Sequence, residues 1–197
     1  MFMKDFTRAA HAVIAADLLA APVTSGILAG TLLETATGWR CVETLRMGDL
    51  VQSLDGGLAK VLGVDRRTLR PDMGQALITI PGGVYDACSD LQLLPGQHLL
   101  IDTLGYTALP DDAFALIPAL ALDGRTGCTR RYALREIEVI TPMFATEEIV
   151  WANSGVLIHC PGIATGAGVR PASDFFPRLD VPGARALLTR REALLAA

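Results

Sequence analysis

Between Ser25 and Cys160, short apolar runs alternate with turns that carry glycine. That punctuation suits a turn-rich, mainly β chain. Asp55-Gly56-Gly57 is the strongest signal, because a tight reversing turn needs positive φ angles that glycine adopts at little cost. Thr37-Gly38, Gly48-Asp49, Pro81-Gly82-Gly83 and Pro95-Gly96 repeat it. The runs between them read as strands. Residues 31–35 and 39–42 form a predicted hairpin, and 50–54 with 58–64 a second. Residues 76–80 are a short β-branched strand, and 90–101 are two strands about Pro95-Gly96. A further strand is expected at 106–109. Residues 114–120 lack alternation and read as a short helix, 131–140 with 148–151 as a hairpin, and 156–160 as the last strand.

Both ends of the chain change character. Phe6, Ala10, Val13, Ile14 and Leu18 recur at helical spacing and Pro22 stops the run, so 1–24 is expected as an amphipathic helical extension. His11 and Asp17 interrupt what would otherwise imitate a secretion signal. At the other end, 184–196 reads as a helix led in by Pro182-Gly183. The rest, 25–197, is expected as one β domain with this helical tail.

Composition removes several classes of function. Half-hydrophobic (51%) and only 19% charged, the 197-residue chain can bury a core and is no disordered segment. A net charge of -4, with basic residues only in short pairs such as Arg66-Arg67 and Arg130-Arg131, gives no footprint for nucleic acid. The longest uncharged run, 149–169, contains Asn153, His159 and Pro161 and makes a poor membrane helix. A soluble chain is expected, cytoplasmic or in an exported assembly. Cys41, Cys88, Cys128 and Cys160 lie far apart without C-x-x-C spacing, so free thiols are expected, with disulfides an open alternative.

Several segments carry a resemblance in order. They are Gly30-Thr31, Gly38, Val42-Glu43-x-Leu45-x-x-Gly48-Asp49-Leu50-Val51, Asp55-Gly56-Gly57, Asp90-Leu91-x-Leu93-x-Pro95-Gly96-x-His98 and Glu148-Ile149-Val150-Trp151-Ala152-Asn153. From Gly26 onward the chain resembles the Hint superfamily, the Hedgehog and intein processing fold, and within it the bacterial Hedgehog-type Hint domains. The resemblance implies a mainly β, compact, pseudo-symmetric β-hairpin fold with a helical ending, to which the N-terminal helix read from periodicity is added. It also implies a chemistry. A cysteine opening the first strand attacks the carbonyl before it, with a histidine giving a proton to the departing nitrogen. Here the cysteine position is Gly26, the Thr or Ser three residues before the histidine is Pro95, and the histidine is His98. No intact catalytic set is therefore expected. Ser25 is the fallback nucleophile, reached by a bulge at Gly26. Without an attacking group, His98 reads as a histidine satisfied by a backbone carbonyl.

Other candidates are weaker on the same physical grounds. His159 and Cys160 are strand neighbours and face opposite sides, which separates them as a catalytic or metal-binding pair. Asn153 reads as a turn residue beside Ser154-Gly155. A mixed site from His98, Cys88 and His159 or Cys160 fits zinc chemistry but has no supporting spacing, and no metal or cofactor is expected. Asp111-Asp112 and Glu147-Glu148 read as solvated pairs. The expected function is a Hint-fold protein that has lost self-cleavage. It would serve as a structural or interaction module, in a phage-like or surface assembly, with a protein partner docking on the N-terminal helix. The alternative is an autoprocessing domain acting near Ser25-Gly26 by an acyl shift.

Overall fold

The computed structural model describes residues 23–55, 57–71, 74–104, 113–163, 173 and 175–196. The expected helix at 1–24, apart from its last two residues, the strand at 106–109 and the pair Asp111-Asp112 lie outside these residues.

The glycine turns build hairpins where the chain has no other business. β2 (Leu32–Thr35) and β3 (Gly38–Cys41) pair from Leu32↔Cys41 to Thr35↔Gly38. Thr35 Oγ1 closes this turn by donating to Gly38 O at 2.6 Å. β4 (Leu50–Ser53) and β5 (Gly57–Lys60) pair as a second hairpin, with Ser53 opposite Gly57.

The predicted strand at 58–64 breaks in two. β5 ends at Lys60, and β6 (Gly63–Leu69) belongs to a different sheet. The cause is buried Val61, gripped by the Gly48-Asp49 turn. Gly48 N donates to Val61 O and Val61 N donates to Asp49 O, each at 2.8 Å. With Leu62 N tied to Met143 O, the chain must cross between layers here.

A second crossing separates β8 (Leu91–Leu93) from β9 (His98–Asp102), which the sequence placed side by side. β8 instead pairs with β7 (Ala76–Ile80) and with β1 (Ile27–Leu28). β9 pairs with β10 (Phe114–Pro118) in the other sheet. Pro95-Gly96 is thus a corner, not a hairpin tip. Residues 114–118 are a strand rather than the expected helix, followed by one 3-10 turn at Ala119–Leu122. Burial on both faces removes the alternation that marks a strand in sequence.

The expected pairing of 131–140 with 148–151 also fails. β11 (Thr129–Tyr132) pairs with β7, and β12 (Ile137–Met143) pairs with β6 and β1. β13 (Glu148–Ala152) forms its hairpin with β14 (Val156–Cys160). Phe144, 1% exposed, anchors the crossing between β12 and β13 in the core.

Two antiparallel sheets result. One has the order β11-β7-β8-β1-β12-β6, the other β10-β9-β14-β13-β2-β4-β5 with β3 beside β2. The fold is mainly β, as expected. Leu33, Val51, Ile78, Ile80, Leu93, Ile140, Val150 and Ile158 fill the space between the sheets, each worth about 1.5–3 kcal/mol of burial. The C-terminal helix, Val181–Leu195, starts three residues before its predicted position because Asp180 caps it, accepting from Gly183 N at 2.8 Å. It buries Ala184, Leu187 and Leu188 over the 3-10 turn and β10.

Candidate functional site

Gly26 lies just before β1, where the two corners of the chain meet. Its N–H donates to Gln97 Oε1 at 2.9 Å. The Gln97 amide nitrogen donates in turn to His159 O (2.8 Å) and His98 O (3.1 Å). Two carbonyls on one side and one N–H on the other orient this amide uniquely. Gln97 is only 3% exposed and joins three separate segments. Two residues before Gly26, Thr24 O accepts from Gly96 N at 2.8 Å. The approach demands glycine, since a Cβ on Gly96 would stand 2.7 Å from that oxygen.

The backbone at Gly26 has φ +125°, and a Cβ there would stand 2.4 Å from Val139 Cγ1 and 3.1 Å from Thr141 Oγ1. Position 26 is therefore occupied in effect by its neighbours on β12. Ser25 is exposed, Pro95 O accepts from Leu120 N at the corner, and His98 is half-buried opposite Pro118. All four sequence-expected positions, Ser25, Gly26, Pro95 and His98, line one cavity of about 690 Å3. Gln97, His159, Cys160 and Arg178 share its wall.

The model of the Hint domain family matches residues 26–157. This chain belongs to the Hint domain family. Among solved structures, the fold is similar to a bacterial intein-like domain from Clostridium thermocellum, with TM-score 0.50 and 17% identity over 68% of this chain and 98% of that one. It is also similar to a splice-inactive variant of the AceL NrdHF class 3 split intein, with TM-score 0.47 and 12% identity over 70% and 98% of the two chains. No curated protein sequence matches the chain.

In this Hint domain the segment from Glu43 to Asp49 is tied to its surroundings by both of its carboxylates. Glu43 Oε2 accepts from Gly30 N at 2.9 Å, fastening the end of β1. Asp49 Oδ2 accepts from Arg46 N at 2.9 Å and lies 3.2 Å from Arg40. The Arg46 N–H bond, with Arg40 beside it, holds the Asp49 carboxyl below its usual range. Asn153, at φ +44°, is the expected turn residue and more. Its Oδ1 accepts from Leu32 N at 2.9 Å, and its Nδ2 donates to Ser89 Oγ and Asp90 O.

The pair Glu147-Glu148 is not solvated, contrary to expectation. The Glu147 side chain is 10% exposed and its Oε2 lies 2.8 Å from Nε2 of His159, itself 5% exposed. Glu148 accepts from Ser53 Oγ. Burial pushes the His159 pKa below its ordinary value, Arg178 adds to the fall, and Glu147 opposes it. Neutral His159 therefore donates from Nε2 to the Glu147 carboxylate and keeps an acceptor at Nδ1, 3.5 Å from Arg178 Nη2. Cys160 next to it is buried, its thiol pushed up to about 12, so it stays protonated and unreactive. Burial lifts Cys128 to about 11.

The four cysteines are free thiols. Among the described residues no three His, Cys, Asp or Glu gather as a metal site, and no helix is long and apolar enough to cross a membrane. The sequence reading missed Gln97, Glu147 and Arg178. Gln97 had one available signal, its place beside His98 after a Pro-Gly corner. Glu147 and Arg178 had none, because their partners are distant in the chain.

Proposed function

We propose that this Hint domain no longer severs its own chain and serves as a structural or interaction module. The carrying observation is the space at Gly26, where the Cβ that would bear a nucleophile falls 2.4 Å from Val139 Cγ1. An acyl shift needs a side-chain thiol or hydroxyl able to reach the preceding carbonyl. Glycine brings neither, and Val139 fills the room one would need. Two further features support the reading. Gln97 presents an acceptor, without a proton to give, to the Gly26 N–H. Pro95 cannot donate from its ring nitrogen, at the position where the family resemblance implies Thr or Ser. In this reading 1–24 is the element on which a protein partner docks, in an assembly of the phage-like or surface kind.

Intact mass tests the loss of cleavage. Purified protein held for long periods with dithiothreitol or hydroxylamine is expected to keep one unchanged mass. Fragments cut within 24–26 overturn the proposal. They would favour the second reading, in which Ser25 attacks the Thr24 carbonyl; the observation behind that reading is the Gly96 N–H already bonded to Thr24 O at 2.8 Å. Docking is tested by co-purification with and without 1–24. Retention of every partner after the deletion refutes that part.

A further inference from the structure

One side of the cavity is closed by the strap 175–180, with the C-terminal helix behind it, and a continuous polar chain ties the strap to the sheets. Glu147, in the crossing between β12 and β13, accepts at Oε1 from Ser173 Oγ (2.8 Å) and from Phe175 N (3.2 Å). Its Oε2 holds His159 Nε2, and Arg178 of the strap stands on the other side of that imidazole. The strap backbone is fastened to β10. Leu116 N donates to Pro177 O and Leu179 N donates to Leu116 O, both at 2.9 Å. Arg178, Leu179 and Asp180 thereby become part of the cavity wall.

We propose that His159 is a proton-operated latch on this strap: a proton added at Nδ1 breaks the contact with Arg178 and lets 175–180 lift from β10, opening the cavity beside Gly26. In the closed state Nδ1 is a lone-pair acceptor facing a guanidinium. Protonation makes it a donor and a cation, so donor faces donor and charge faces like charge at 3.5 Å. Glu147, on the opposite edge of the ring, attracts the imidazolium and limits the effect. His98 on β9 and Asp180 at the helix start line the same cavity, while Glu148 on β13 is engaged with Ser53. Cys160 stays protonated throughout the range in question.

The sign follows from where the proton binds better. Closed, His159 titrates below its ordinary value, burial being the largest cause. Open, it is hydrated, is relieved of Arg178 and returns toward about 6.5. The open state therefore binds more protons. Closure is fully favoured above about pH 6.5 and is lost as pH falls from there through the closed-state value. Each unit between the two values changes the open-to-closed ratio about tenfold.

Hydrogen exchange of the full chain, read by mass spectrometry between about pH 5 and pH 8 and corrected for the intrinsic rate, tests this. Protection of peptides covering 175–188 is expected to fall toward acid while β2 and β13 keep theirs. Arg178→Gln keeps a hydrogen-bond donor and removes the charge, and is expected to shrink the step, burial of the ring keeping the remainder. His159→Gln should flatten it, and Arg178→Gln carries the test if that variant fails to fold. A pyridyl disulfide that reacts in acid gives a second readout, with Cys160 modified faster at the acid end. The proposal is overturned by strap protection independent of pH. It is equally overturned by loss shared with β2, which means global unfolding, or by an undiminished step in Arg178→Gln.

Discussion

Placing a single methyl at position 26 interrogates the geometry on which the functional reading stands. In Gly26→Ala the new Cβ would lie 2.4 Å from Val139 Cγ1, against roughly 3.5–4.0 Å for relaxed carbon contacts. Val139 is 2% exposed and its backbone is paired on both sides, to Leu28 and to Arg67, so it has little freedom to retreat. Overpacking of this kind costs about 1–3 kcal/mol. A non-glycine residue held at φ +125° adds about 1–3 kcal/mol more. The expected loss is about 2–6 kcal/mol, large beside the roughly 5–15 kcal/mol that holds a typical domain together. Urea unfolding should read it directly, and in a heat scan it corresponds to a Tm drop of about 4–24 °C. Val139→Ala in the same chain separates the two causes. The pair should couple favourably by about 1–3 kcal/mol, leaving the φ penalty behind. If Gly26→Ala unfolds within about 0.5 kcal/mol of the parent, the site is not closed to a side chain and the argument fails. Gly26→Cys should be destabilised similarly and should yield no thiol-dependent fragments.

Gln97→Leu removes acceptor and donors together and leaves Gly26 N–H and His159 O buried without their partner. A stability loss of about 2–4 kcal/mol is expected in urea titrations, and a change below about 1 kcal/mol argues against a pinning role. Native thiol counting near pH 8 should find Cys88 reacting first and Cys160 and Cys128 silent until denaturant is added. Fast modification of Cys160 would contradict its burial. Asn153→Ala loses three bonds to two segments, at Leu32 and at Ser89-Asp90, at a φ that alanine tolerates poorly. It should cost about 2–4 kcal/mol, with Asn153→Asp closer to the parent because the Leu32 N–H keeps its acceptor; equal losses for the two variants refute that assignment.

Local signals in this chain are those that neighbouring residues alone can satisfy. Gly38 (φ +99°) and Gly57 (φ +68°) turn the chain through backbone angles that glycine adopts cheaply, so both hairpins could be read from a few residues. The order from Glu43 to Asp49 and on to His98 carried the family resemblance. Sheet membership was decided elsewhere. Whether residues 58–64 are one strand or two depends on Val61 meeting the backbone of Gly48 and Asp49, and whether Pro95-Gly96 is a tip or a corner depends on Thr24 reaching Gly96. Such contacts join residues far apart in the chain, and strand periodicity is the same in either sheet. The site divides in the same way. An absent side chain at Gly26 is plain in the sequence, whereas Val139 filling its place, Gln97 turning its acceptor toward the Gly26 N–H, and Glu147 buried against His159 exist only once the sheets close. Covalent identity determines which groups a chain can offer; packing determines which of them meet, and at what cost in water.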